Sequence, residues 1–177
     1  NLVHTLILMG QFRHGPQKSM IDYDALWSYS LSVACLTKIK AAQTRIDSNL
    51  AFTTALFHCM DLILQDFLDQ QALENRIAMA LQNSKLQISV PLDKKIDTNG
   101  FDLIAMLLEH WHFPLSVIAV FNNSEDTTSV AIRKLIISSS DVINNQRSNN
   151  ENTEQITDSD VAKSQTLYKE LQSLIAA

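Results

Sequence analysis

Between Ala25 and Ala42 the apolar residues Trp27, Leu31, Ala34, Cys35 and Ile39 recur three and four positions apart. That period brings side chains onto one face of an α-helix. Leu26, Val33 and Leu36 fill the far side, and a helix apolar nearly all round is a central one. Asp22 or Asp24 stands where an N-cap is needed. Asp47 and Ser48 open a second helix whose period runs through Leu50, Thr54, Phe57, Asp61, Leu64 and Leu68, predicting one element to about Gln70. A shorter helix is predicted around Leu73 to Gln82. Ahead of all these, Asn1 to Phe12 reads as the tail of an amphipathic helix, broken at Gly15-Pro16.

Leu86 to Asp97 loses the period, and Pro91 pushes Val90 toward extended geometry. Thr98 or Asn99 then caps a helix through Phe101, Leu103, Ile104, Leu107, Leu108 and Trp111, which stops near Phe113 because Pro114 cannot continue it. Pro114 fits the first turn of a short helix over Leu115 to Phe121. Asn122 to Asp126 is a polar turn, and Asp126 or Thr127 caps a helix through Val130, Leu135, Ile136 and Val142 to about Asn145. Residues 144–160 are rich in Asn, Glu, Ser and Thr. They carry too little apolar surface to offset an ordering entropy of roughly 1–2 kcal/mol per residue, so a flexible loop is expected there. A last amphipathic helix, over 161–177, places Val161, Tyr168, Leu171 and Ile175 on one stripe.

Only three glycines and three prolines occur in 177 residues, too few for the tight turns of a sheet-rich fold. The expected fold is therefore all-α, an orthogonal multi-helix bundle without internal repeats. The formal charge of −5 and the scattering of 14 basic residues argue against direct nucleic-acid binding, which draws its strength from clustered cations on phosphates. Cys35 and Cys59 lie in apolar context with no CxxC, which suits a reducing, cytoplasmic setting. No apolar run is long enough to span a bilayer, and Asn1 to Met9 lacks the basic flank of a secretory signal.

One stretch carries candidate chemistry. His58-Cys59-Met60-Asp61 sets three metal-ligand types within four residues of a greasy helical run. Its bland counterpart is a buried helix whose polar members are satisfied locally, with Cys59 acting as a small apolar group. His110 and His112 flank Trp111, but positions i and i+2 of a helix point to nearly opposite sides. No Walker loop, GxSxG or HExxH occurs.

Three segments in order, Leu26-Trp27-Ser28-Tyr29-Ser30-Leu31-Ser32-Val33-Ala34, Ala55-Leu56-Phe57-His58-Cys59-Met60 and Leu107-Leu108-Glu109-His110-Trp111-His112-Phe113-Pro114, resemble the HDOD family, a branch of the HD-domain metal-dependent phosphohydrolase superfamily found in bacterial signalling. The resemblance covers about Asn1 to Asn145. It implies an HD-like domain over 1–143, with the family's N-terminal helices missing from this sequence. In the catalytic superfamily a divalent metal is held by an early histidine, an adjacent His-Asp pair and a late aspartate. By resemblance these positions fall at Tyr29, at His58 with Cys59, and at Asp141. Further histidines of metal-binding members fall near Gly100 and near Asn122-Asn123. Only one histidine and one carboxylate of that set survive.

The resemblance thus implies a non-catalytic regulatory or protein-interaction module of bacterial signal transduction. It would have no cofactor and no bound metal, and its partner would be a protein. Tyr29, His58, Cys59 and Asp141 would line a vestigial pocket, with Tyr29 and His58 hydrogen-bonding where a metal once sat. Two alternatives stand beside it: a metal-dependent phosphohydrolase acting on nucleotides or cyclic dinucleotides with a rebuilt ligand set, and an unrelated helical sensory or adaptor domain.

Overall fold

A computed structural model describes residues 10, 16, 19, 21–71, 73–75, 78, 99–122, 124–148 and 158–175. The expected elements over Asn1–Phe12, 86–97 and 149–157 lie wholly or mostly outside them. Seven helices are laid out in order: α1 Tyr23–Ala42, α2 Ser48–Leu56, α3 Met60–Leu68, α4 Asn99–His110, α5 Leu115–Phe121, α6 Thr127–Ser148 and α7 Asp158–Ile175. Residues 70, 71, 73–75 and 78 are also helical, the last four of them within the short helix expected over Leu73 to Gln82. Among the described residues there is no strand, and no helix is long and apolar enough to cross a membrane.

Local chemistry sets the helix starts. The Asp22 carboxylate accepts the Ala25 amide at 2.9 Å. Asp47 accepts those of Asn49 and Leu50, and Asp126 that of Ser129 at 2.8 Å. Each satisfies donors that the first turn leaves without an intrahelical acceptor. Hydrogen bonds from Ser129 and Ser124 pull the exposed Asp126 carboxyl down to about 2.

α1 is the axle. It packs against α2, α6 and α7, and its buried residues point in every direction, from Leu26 and Trp27 through Val33, Ala34, Cys35 and Leu36 to Ala41. α2 also touches α5 and α6, α3 touches α4, and α4 runs into α5. Arg133 of α6 donates to the carbonyls of Val120 and Ser124, closing the α5–α6 corner through its planar fork. Trp27 is buried, whereas Trp111 is half-buried against the core's edge.

α4 ends in a way its sequence did not announce. His112 adopts φ 55°, the left-handed region that favours glycine. The Phe113 amide donates to Leu108 O and that of His112 to Glu109 O, both at 2.9 Å. This is a Schellman end, in which the 6→1 and 5→2 bonds satisfy terminal carbonyls. Leu108 and Phe113, the pair such an end brings into contact, are both buried. Pro114 follows as the N-cap of α5, one position earlier than the first-turn place expected for it.

Two other boundaries differ from expectation. The segment Ser48 to Gln70 is not one helix but two, α2 and α3, parted by a turn at Phe57-His58-Cys59. The polar run from Asn144 is helical to Ser148, and helix resumes at Asp158. Val142 and Ile143 are buried, and once a helix is anchored each further residue adds a hydrogen bond without a new nucleation cost.

Candidate functional site

The α2–α3 break contains no glycine or proline, so its cause lies in the side chains. In an unbroken helix the Ala55 carbonyl would accept the amide of Cys59. Instead His58 Nδ1–H donates to Ala55 O at 2.5 Å. Around it the backbone tightens: Phe57 N bonds Thr54 O, His58 N bonds Ala55 O and Met60 N bonds Phe57 O. These are i→i−3 bonds of the 3₁₀ type. A side chain has displaced a backbone donor from its acceptor. The reward is packing. Ala55 through Met60 are all buried, which no single face of a straight helix could achieve. Phe57 meets Phe113 edge-on, with centroids 5.2 Å apart.

With Nδ1 the donor, neutral His58 has Nε2 as its acceptor, and Nε2 lies 3.1 Å from Cys59 Sγ. The thiol S–H donates there. Tyr29 of α1 brings its ring to 5.7 Å from the imidazole, tilted by 47°. Burial lowers the His58 pKa below its ordinary value, against the opposing pull of the Ala55 hydrogen bond and of Asp61. The imidazole is thereby held neutral, consistent with both of its hydrogen bonds.

Tyr29, His58 and Cys59 are all buried in the core. Asp141 is exposed on α6, where the buried members of the same turns are Ser139, Ser140, Val142 and Ile143. His110 and His112 are exposed, and Asp61 is half-buried.

The sequence model of the HDOD domain matches residues 1–127, well over half of the chain. The chain belongs to the HDOD family. Neither a curated protein nor a solved structure matches it. Family membership closes the alternative of an unrelated helical adaptor. It also gives physical content to the three HDOD segments: Trp27 is a buried part of the axle, Leu56-Phe57-His58 runs from the last residue of α2 into the α2–α3 break, and Trp111-x-x-Pro114 is the Schellman end leading into α5. The break and the Schellman end meet through Phe57 and Phe113.

The HD superfamily's divalent ion does not fit the site formed by the described residues of this HDOD domain. Hard cations need several oxygen or imidazole donors converging with open positions for water. Here His58 spends Nδ1 on Ala55 O and accepts a thiol proton at Nε2. Cys59 offers sulfur, which suits softer metals, and Asp141 is exposed to solvent. Among the described residues no group of three or more His, Cys, Asp or Glu could hold an ion together.

A second buried polar cluster went unread in the sequence. Asp66 of α3 is buried and accepts from Tyr23 OH at 2.7 Å and from Ser19 Oγ, pinning the approach to α1 onto α3. Burial, then the Asp66 carboxylate, raise the Tyr23 pKa well above the ordinary phenol range. The expected single helix put Leu64 and Leu68 on its buried stripe. The break resets the phase, so Asp66 turns inward and Leu68 turns out.

Proposed function

We propose that this HDOD domain is a non-catalytic regulatory module of bacterial signal transduction, cytoplasmic, acting by presenting helical surface to a protein partner. The observation that carries the reading is the local commitment of His58. Its two ring nitrogens are bonded within a five-residue segment, at Ala55 O and Cys59 Sγ, and the Tyr29 ring lies against it. A group fixed in this way supports packing and neutrality rather than Lewis-acid chemistry on a phosphate ester.

The competing reading is a phosphohydrolase acting on nucleotides or cyclic dinucleotides with a rebuilt ligand set. The test is elemental analysis of protein purified without chelator, together with hydrolysis of bis-p-nitrophenyl phosphate and of cyclic dinucleotides in added Mg²⁺, Mn²⁺ or Zn²⁺. The regulatory reading expects sub-stoichiometric metal and no turnover above buffer. A stoichiometric transition metal and a hydrolytic rate, both lost in His58→Ala, would overturn it.

A further inference from the structure

Four core hydroxyls, those of Ser30 and Thr37 on α1 and of Ser139 and Ser140 on α6, have no hydrogen-bond partner among the described residues. Each of these residues is at most 3% exposed. A helical serine or threonine can turn its hydroxyl back to the carbonyl three or four positions earlier. Ser32, Thr54, Ser138 and Thr166 do so, donating to Ser28 O, Leu50 O, Leu135 O and Ala162 O. Buried polar groups are paired in the great majority, and each exception raises the free energy of the closed state relative to one in which water reaches the group.

The four belong to two helices packed against each other. Ser30 and Thr37, seven positions apart, share one side of α1. Lys40, one turn beyond Thr37, donates from Nζ to Ser138 Oγ at 2.9 Å. That bond sets Thr37, Ser139 and Ser140 each within about a helical turn of one contact between the helices.

The two halves of α6 are held differently. In the first, Ile132 and Ile136 are buried, and Arg133 donates to the carbonyls of Val120 and Ser124. In the second, Ser139 and Ser140 occupy two buried places of 139–145, with Val142 and Ile143 as the buried apolar residues there. Segments with few buried apolar contacts open locally at a cost below that of global unfolding.

We infer that the seam between α1 and the second half of α6 is a built-in opening plane. The segment from Ser139 onward lifts from α1 as a unit, turning about the Arg133 fork, and the open state gives the hydroxyls water as a partner. This is independent of the interaction-module reading, and it supplies the two-state element that a ligand or partner of a regulatory module can bias.

The test is native-state hydrogen exchange of the whole chain, followed by NMR in urea below the unfolding transition. Amides of 139–145 exchange about tenfold or more faster than those of 132–136 in the same helix. They share one protection factor, where simple fraying would grade it toward the helix end. Thr37→Val, Ser139→Ala and Ser140→Ala each delete an unpaired hydroxyl and slow exchange over 139–145 by about fivefold or more. Thr54→Val, which deletes a hydroxyl bonded to Leu50 O, does not slow it. Equal protection of the two halves of α6, a graded profile, or unchanged exchange in the three variants overturns the inference. So does faster exchange in them, which would mean that bound water pairs the hydroxyls in the closed state. The wild-type profile decides the matter even if a variant fails to fold, and no outcome bears on His58, which the metal and hydrolysis measurements decide separately.

Discussion

Protonating His58 should unfasten the core. In the folded chain its Nδ1 proton is held by Ala55 O and its Nε2 accepts from Cys59. A second ring proton would force Nε2 to donate into a buried, mostly apolar site. Burial lowers its folded-state pKa, whereas the unfolded chain titrates near the ordinary value of about 6.5. Below about pH 6.5 the unfolded state therefore binds a proton that the folded state refuses, so stability falls as pH falls. The ceiling is one proton, or at most about 1.4 kcal/mol for each pH unit below the unfolded pKa. Carboxylates ordinarily titrate near about pH 4, which makes about pH 7.5 to 5.5 the window to measure. Urea melts across that window measure it. His58→Gln provides the control, because it keeps the bulk and hydrogen-bonding capacity without the titration. Wild type should lose up to about 1.4 kcal/mol more than His58→Gln over the window. Equal pH slopes in the two proteins would refute the neutral, buried imidazole.

Other expectations come from the same geometry. Replacing His112 by Gly should stabilise the protein by roughly 0.5–1 kcal/mol, because the left-handed backbone then carries no Cβ; a lower urea midpoint would contradict the Schellman end. Arg133→Met strips two carbonyl hydrogen bonds from the α5–α6 corner and should cost about 1.5–3 kcal/mol, and Arg133→Lys, lacking the fork, should recover only part of it. Tyr23→Phe and Asp66→Asn should each destabilise by about 1–3 kcal/mol, with a double-mutant coupling of at least about 0.5 kcal/mol; additive effects would show that the bond is not formed. Cys35, whose thiol burial pushes up to about 12, and Cys59, also buried, should both resist Ellman's reagent in the native chain and react in urea. Labelling of either before unfolding would mean that the core admits reagent.

The helices whose hydrophobic period is long and whose caps are Asp followed by apolar residues were readable from the chain: α1 with Asp22, α5 with its leading proline, and the start of α6 at Asp126. The departures concern side chains that compete with the backbone. Nothing in Phe57-His58-Cys59 breaks a helix by propensity, so the hydrophobic period runs straight through it; only the imidazole's capture of Ala55 O shows why the chain turns there. That one departure propagates, because each residue inserted into a helix or lost from it rotates every downstream side chain by about 100°. A continuous helix would carry Asp66 outward and Leu68 inward, the reverse of their places in the fold. Tyr29, His58 and Cys59 could be named from the HDOD resemblance, and they are buried together. Asp141 is exposed beside two buried serines, a half-turn of phase that the short polar run Ser138-Ser139-Ser140 left undetermined.

The turn between α2 and α3 also constrains what a single substitution there could do. Exchanging Cys59 for Asp would restore the letters of a histidine–aspartate pair, yet the ring beside it would still be facing inward, its proton lent to Ala55 O. To release it, the backbone would have to rewind into continuous helix, and Phe57 would swing away from Phe113. The Ala55 hydrogen bond and the Phe57–Phe113 contact thus belong to one arrangement of this short segment, and a substitution at position 59 alone leaves both in place.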